Sequence, residues 1–300
     1  MAAHTVVGIG EVLWDSLPEG LFLGGAPFNV CYHLCELGHE SFLVSAVGHD
    51  ALGEEAEARI RRFGMPTEGL QVNEEHPTGR VPVRLDASGT PTYEILQPVA
   101  YDAIELTDTV RGLVDRAEVV VFGSLAQRSA PTRQTIEYAC CAPALKCFDL
   151  NLRAPFDDAA IVLASLEASD LVKLNAEELR SVAEWAEIAR DDERETMSTL
   201  AQKYRIATMC VTRGDAGALL LNAGRFHEHS GYRVDVIDTV GAGDAFLAGL
   251  LDAYFRGESP DLWLEWANRC GAYVAAAAGA TPPMSRERVE QVVAGRCGSS

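Results

Sequence analysis

Lysine is nearly missing from these 300 residues, occurring only as Lys146, Lys173 and Lys203. Arginine therefore carries almost all of the positive charge, and 44 acidic against 25 basic residues leave a formal net charge of −19. A chain so short of cations has no general basic surface for neutralising phosphates, which excludes a nucleic-acid binder of the usual electrostatic kind. None of the lysines follows a GxxxxG frame, so a Walker P-loop is absent too. Long apolar runs are also missing. The longest, Cys270 to Ala280, falls well short of the roughly 20 residues that span a bilayer, so no membrane helix is expected. No CxxC pair occurs among the cysteines at 31, 35, 140, 141, 147, 210, 270 and 297, a spacing that suits reduced thiols and not a zinc site. The opening MAAHTVVGIGE lacks a basic n-region and reaches a glutamate at position 11, so it reads unlike a signal peptide and predicts a cytoplasmic protein. What the chain does have is 48% hydrophobic and 23% charged residues, enough apolar material for a large buried core.

Apolar runs of strand length alternate with amphipathic stretches: VVGIG, then Phe28 to Leu37, SFLVSAVG, then Leu52 to Phe63. This is the βαβα rhythm of a parallel sheet. Val119 to Phe122, Lys146 to Leu150, Asp170 to Leu174 and Thr208 to Thr212 are further buried-strand candidates. The pattern predicts a single α/β domain over residues 1–300, doubly wound, with a mainly parallel central sheet and helices on both faces. Residues 12–24 and 72–100 break the rhythm. Within the second, VPVRLDASGTPTYEIL alternates around an Ala-Ser-Gly-Thr turn and reads as a hairpin. A few antiparallel strands are not stable alone, so these segments are expected to pack on the core as a small β-lid. The charged run Asp191 to Glu195 reads as a solvated connection, and the Gly-Ser-Ser end as frayed.

The strongest chemical signal is Asp238-Thr239-Val240-Gly241-Ala242-Gly243-Asp244, which leads into a helical pattern through Phe246, Leu250, Ala253 and Tyr254 that stops at Gly257. A glycine-rich turn opening a helix presents unpaired N–H groups and the positive end of the helix dipole, an anion cradle. Asp244 would repel a phosphate placed directly on it, so it fits better as a base that accepts a proton from a hydroxyl. The plainer alternative is a helix-capping aspartate after an ordinary glycine turn. A second glycine pair, Gly24-Gly25-Ala26-Pro27-Phe28-Asn29, precedes another helical pattern and would bring backbone and the Asn29 amide close to a ligand. Asp15 lies just past the first strand, at the crevice end where open α/β sheets bind ligands, and suits two hydroxyl hydrogen bonds. A turn glycine pair, a cap asparagine and a surface aspartate are the structural alternatives.

Taken together, DTVGAGDAF and GGAPFNV resemble the two signatures of the ribokinase-like, or pfkB, sugar kinases, and the chain is most similar to bacterial fructokinase-type members over essentially its whole length. The resemblance implies ATP-dependent phosphorylation of a sugar hydroxymethyl group on a ribokinase-like α/β core with a β-lid. It implies Asp244 as catalytic base, Gly241, Ala242 and Gly243 as an anion hole, and Asp15, Gly25 and Asn29 as sugar contacts. Lys173-Leu174-Asn175-Ala176-Glu177-Glu178 resembles the family's NxxE motif, in which Asn175 and Glu178 organise nucleotide and Mg²⁺, the metal reached from Glu178 through water. By the same resemblance Thr212 and Gly214 contact the ATP phosphates and Asn268 the base. Asp149-Leu150-Asn151-Leu152-Arg153 is similar to a DxNxR segment, which implies Arg153 as a clamp for phosphate or an acidic substrate, with a surface ion pair as the structural alternative. The family's monovalent-cation site is not assigned, because Pro282 and Pro283 alter the loop after Gly279 that would share it with the Asp238 and Val240 carbonyls.

Two other functions fit the sequence less well. Gly8-Ile9-Gly10 hints at a nicotinamide dehydrogenase, but Leu13 replaces the third glycine and Glu11 stands where pyrophosphate would lie. A non-catalytic sugar-binding protein on the same fold would be marked by loss of the carboxylate, and Asp244 is present. Among substrates, fructose leads. Ketodeoxygluconate would need a cation for its carboxylate, with Arg84, Arg128 and Arg153 as candidates, and a nucleoside kinase would need an aromatic cluster that the lid segments lack. A homodimer through an exposed lid edge is expected.

Overall fold

A computed structural model of the chain describes residues 3–17, 20–85, 91–188 and 192–294. The strands, in chain order, are β1 Thr5–Ile9, β2 Leu13–Leu17, β3 Gly20–Gly24, β4 Glu40–Gly48, β5 Leu70–Asn73, β6 Gly79–Leu85, β7 Pro91–Tyr93, β8 Val119–Phe122, β9 Leu145–Asp149, β10 Leu171–Asn175, β11 Thr208–Thr212, β12 Ala218–Asn222 and β13 Arg225–His229. The α-helices are α1 Ala26–Glu36, α2 Ala51–Arg62, α3 Asp108–Arg116, α4 Ala130–Cys140, α5 Ala159–Glu167, α6 Ala176–Trp185, α7 Glu193–Tyr204, α8 Ala242–Phe255, α9 Pro260–Ala275 and α10 Arg286–Ala294.

Among the described residues, nine strands form one sheet in the order β13-β12-β11-β10-β9-β8-β1-β4-β5. From β1 the chain winds outward through β4 and β5, returns to β8 on the other side of β1, and winds outward again through β9, β10 and β11, all parallel. The winding direction reverses at the β1/β8 pair, and there a crevice opens beyond the carboxyl ends of the strands. The central strands are buried on both faces, and their side chains alternate between two cores. Val7, Ile9, Val120 and Phe122 join the core roofed by Leu113, Ile136, Val162 and Leu179. Val6, Val119 and Val121 join the opposite core with Val30, Leu34, Leu247 and Leu250 of α1 and α8. The fold is therefore the doubly wound, mainly parallel α/β sheet expected from the sequence.

The hairpin β12–β13 extends this sheet antiparallel to β11 and was not anticipated. A separate four-stranded sheet in the order β3-β2-β6-β7 is built from the segments that broke the βαβ rhythm. Its β6–β7 pair is antiparallel, as the alternation implied, while β2 lies parallel to β6. The Ala87 to Thr90 turn lies outside the described residues. The second segment joins the small sheet later than residue 72, because Leu70–Asn73 pairs with β4 in the large sheet and only Gly79 onward pairs with β2. The charged run also differs from expectation. Asp192 caps α7 by accepting from the Glu195 amide at 2.8 Å, so Glu193 and Glu195 fill a helical first turn, where acids are favoured. Asp191, Cys297 and the Gly-Ser-Ser end are outside the described residues. Among those described, no helix is long and apolar enough to cross a membrane.

Candidate active site

The carboxyl ends of β1, β10 and β11, the segment after β9 and the first turns of α1 and α8 enclose one cavity of about 540 Å³. Asp15, Gly25, Asn29, Arg153, Asn175, Glu178, Thr212, Gly241, Gly243 and Asp244 all line it. These residues come from motifs as far apart as 229 positions, counting from Asp15 to Asp244.

On one side, the chain leaves β1 through Glu11 and returns along β2. Gly25 stands just before α1 with φ 118°, and a Cβ there would come within 2.4 Å of the Glu11 carbonyl oxygen, so only glycine lets the two segments lie this close. Glu11 is buried and its Oε1 accepts from the Ala26 amide at 3.2 Å. Burial pushes its carboxyl up to about 7, against the pull of those backbone hydrogen bonds and Arg153. Asp15 is likewise raised by burial to about 6, partly offset by Arg153. Asn29 sits one turn into α1 and is 4% exposed.

On the other side, Gly241 caps α8 in the left-handed region, φ 76°, and a Cβ would fall 2.6 Å from that of Ala280. Ala242 begins the helix between the two lining glycines, its own side chain outside the cavity lining. Asp244 follows in the first turn, and the Asn29 side-chain amide donates to its Oδ2 at 2.7 Å. This bond joins the two helices. Burial, with the nearby Asp149 charge, raises the Asp244 carboxyl to about 6, while Lys173, Asn29 and Arg153 pull it back. For Asp244 to act as the base that the sequence resemblance implies it must be ionised, which predicts a kcat/KM that falls as pH drops through about 6. A pH–rate profile flat down to pH 5 would contradict that.

At the end of β10, Asn175 Oδ1 accepts from the Glu177 and Glu178 amides at 2.8 and 2.9 Å, and Glu178 Oε2 accepts from the Asn175 amide at 2.8 Å. Glu178 Oε1 also accepts from the Leu152 amide at 2.9 Å. This is a full capping box that starts α6, and both side chains still line the cavity. Each Glu178 oxygen keeps a further lone pair, which fits a magnesium ion held chiefly by phosphate and water. The described residues hold no cluster of three or more His, Cys, Asp or Glu able to hold a metal by themselves.

Some expected residues stand elsewhere. Gly214 lies exposed in the turn after β11 with φ 59°, away from the cavity lining. Asn268 is buried on α9, donates to the Leu264 carbonyl at 2.7 Å and is not among the residues that line this cavity. Arg128 lines a different cavity, with Gln97, Pro98 and Asp102. The Arg84 side chain lies outside what the structure describes. Conversely, Glu11, Lys173, Thr239 and Val240 line the site and were not selected from the sequence. Lys173 carried a signal: a lysine between Val172 and Leu174 in an otherwise apolar buried strand.

A sequence model of the pfkB family carbohydrate kinases matches residues 20–287. The chain belongs to that family. It is 31% identical over 293 residues to the fructokinase of Escherichia coli, covering 91% of this chain and 93% of that one. The structure of a sugar kinase of Pyrococcus horikoshii in complex with ATP superposes with a TM-score of 0.80 at 27% identity, covering 96% of this chain and 99% of that one. Fructokinase from Xylella fastidiosa with bound ATP shares the fold, TM-score 0.84 at 23% identity over 98% and 99% of the two chains. The protein is thus a carbohydrate kinase, a phosphotransferase acting on a sugar hydroxyl, and the dehydrogenase alternative falls.

Proposed function

We propose that the enzyme transfers the terminal phosphoryl group of ATP to a primary hydroxyl of fructose, with Mg²⁺. The carrying observation is the Asn29–Asp244 hydrogen bond, which sets the sugar-side helix and the phosphate-side helix in one cavity. Asp15, Gly25 and Asn29 hold sugar hydroxyls. Because Asn29 occupies Oδ2 of Asp244, Oδ1 is the oxygen that takes the proton from the attacking hydroxyl. The Gly241 to Gly243 amides hold the charge that develops on the migrating group, and in-line geometry does most of the rest. Asn175 and Thr212 extend the site towards Gly214 for the nucleotide phosphates, and Asn268 has no part in this reading. Bound magnesium would screen those phosphates, with Glu178 ordering its waters.

The charge of the lining favours a neutral sugar. Glu11 and Asp15 face the sugar side, with Arg153 the cation beside them, and Arg128 is committed to Asp102 elsewhere. Near pH 7 a sugar acid would meet a mostly ionised Asp15 and a Glu11 about half ionised, for one guanidinium. The E. coli relative, a fructokinase, agrees with this preference. In a coupled ADP-release screen over fructose, ribose, ketodeoxygluconate, tagatose and adenosine, fructose should give the highest kcat/KM. Leadership by ketodeoxygluconate would overturn the substrate, and calorimetric sugar binding with no ADP release would favour a non-catalytic binder.

Leu13 and Asp15 of β2 and Val81 of β6 contribute to the cavity wall, so the small sheet is positioned to close over the sugar as a lid. Closure predicts slow ATP hydrolysis without sugar, measurable as ADP release against phosphoryl transfer, and equal hydrolysis rates with and without sugar would contradict it. The lid's edge strand β3 exposes Leu21 and Phe22, 39% and 40%, which supports pairing of two copies there. Cytoplasmic location completes the proposal, on the reduced-thiol composition.

A further inference from the structure

Beneath Gly243 lies a buried ion pair that the reading above does not use. Lys173, in the middle of β10, is the direct partner of Asp149, the last residue of the parallel strand β9. The Lys173 ammonium donates to Asp149 Oδ1 at 2.8 Å, with the side chains 9% and 3% exposed. On the same face of the sheet stand Cys147 and Cys210, both buried. Lysine is rarely buried, and a buried pair is seldom more stable than apolar residues of the same volume, so fold stability alone does not account for it.

Its position does. The ammonium nitrogen is 3.1 Å from where a Cβ on Gly243 would be, so the absence of a side chain at 243 lets the cation lie against the first turn of α8. Lys173 also lines the cavity itself. We infer that Lys173, oriented by Asp149, is a positioning residue that supplies the fixed positive charge under the Gly241–Gly243 anion hole and beside Asp244. Amides and a helix dipole give partial charges, whereas a desolvated ammonium gives a whole one that needs no reorganisation during transfer. The chain lacks a P-loop lysine, and this strand lysine reaches the same kind of place from below.

The charged and titratable groups facing Asp244 are Asp149 from β9, Lys173 from β10, Arg153 from the segment after β9 and Glu11 from the segment after β1, with the Asn29 amide from α1. Asp149 disfavours ionisation of Asp244 and Lys173 favours it. Burial alone would lower the lysine's own affinity for its proton, but Asp149 and Asp244 outweigh that and keep it charged. Removing the two partners should therefore shift Asp244 in opposite directions, a signature that loosened packing does not produce.

The inference rests on the kinase reading, and two readouts separate them. The first needs no turnover: the Asp244 carboxyl is titrated by carbon-13 NMR in the ligand-free protein, assigned with Asp244→Asn. Its midpoint should rise in Lys173→Met, fall in Asp149→Asn and stay near the wild-type value in Lys173→Arg. The second is kinetic. Lys173→Met should lower kcat by about 10²- to 10³-fold, the effect of removing one anion-hole donor, with sugar KM little changed. Midpoints that do not move, or that move together, overturn the assignment, as does a Lys173→Met enzyme with wild-type kcat. If Lys173→Met fails to fold, the Asp149→Asn midpoint decides alone. A wild type that phosphorylates no sugar defeats the kinase reading, and the titration still tests the lysine.

Discussion

Asp244→Asn lowers kcat by about 10²- to 10⁴-fold, the range of a lost general base, and leaves sugar KM close to wild type. The substitution keeps the shape of the side chain and can still meet the Asn29 amide, but an amide cannot take the hydroxyl proton. The same variant should be more stable than wild type at alkaline pH. Asp244 has its carboxyl raised from 3.8 to about 6 in the folded protein, so the folded state holds that proton more tightly than the unfolded chain does. Stability contributed by this group is present at low pH and is lost as pH rises from the unfolded value through about 6. Above that window the buried charge costs on the order of 3 kcal/mol, which asparagine does not incur. Urea denaturation at pH 8 should thus place the inactive variant above the active enzyme, the usual trade of stability for activity at such sites. A variant that keeps its turnover, or loses it together with its stability, would remove Asp244 from this role.

Arg128→Ala costs about 3–5 kcal/mol of folding stability, the range for stranding one member of a buried ion pair. Its guanidinium meets Asp102 through Nε at 2.7 Å and Nη2 at 2.9 Å, and Nη2 also donates to the Leu96 carbonyl at 2.8 Å. The arginine and aspartate side chains are 6% and 8% exposed, and the guanidinium packs on the rings of Tyr101 and Phe156 at 5.0 and 4.4 Å. Truncation leaves the Asp102 carboxylate buried without its partner, still accepting from the Val99 amide at 3.0 Å. The double variant Arg128→Met, Asp102→Leu should recover most of the loss, since no charge is then stranded. Because Arg128 lines another cavity, kcat and fructose KM of the folded fraction should be unchanged. A large rise in KM for a sugar acid on Arg128→Ala would instead return it to the substrate site.

The parallel core was readable because its strands are buried on both faces and appear as short runs such as VVVF between amphipathic stretches. The β12–β13 hairpin was not, because Arg225–His229 is an edge strand of mostly polar residues. Both glycine turns announced helix starts, but nothing local says that Asn29 and Asp244, 215 residues apart, share a hydrogen bond. Only the resemblance of both motifs to one family placed them together. Asn268 came from the resemblance alone, since an amide on α9 that donates to its own helix carries no local mark of a base contact. The resemblance also passed over Lys173. A lone cation in an apolar strand can be noticed in sequence, whereas its seat under Gly243 depends on how β10 meets α8 and is visible only in three dimensions.

A crystal structure of the enzyme with fructose and a non-hydrolysable ATP analogue tests the central claim most directly. The account predicts one primary hydroxyl of the sugar within about 2.6–3.2 Å of Asp244 Oδ1, hydrogen-bonding reach for a base. The analogue's terminal phosphoryl group should lie against the Gly241 to Gly243 amides, in line with that hydroxyl. A sugar seated elsewhere, or an Asp244 carboxylate turned from every hydroxyl with the nucleotide in place, would contradict it.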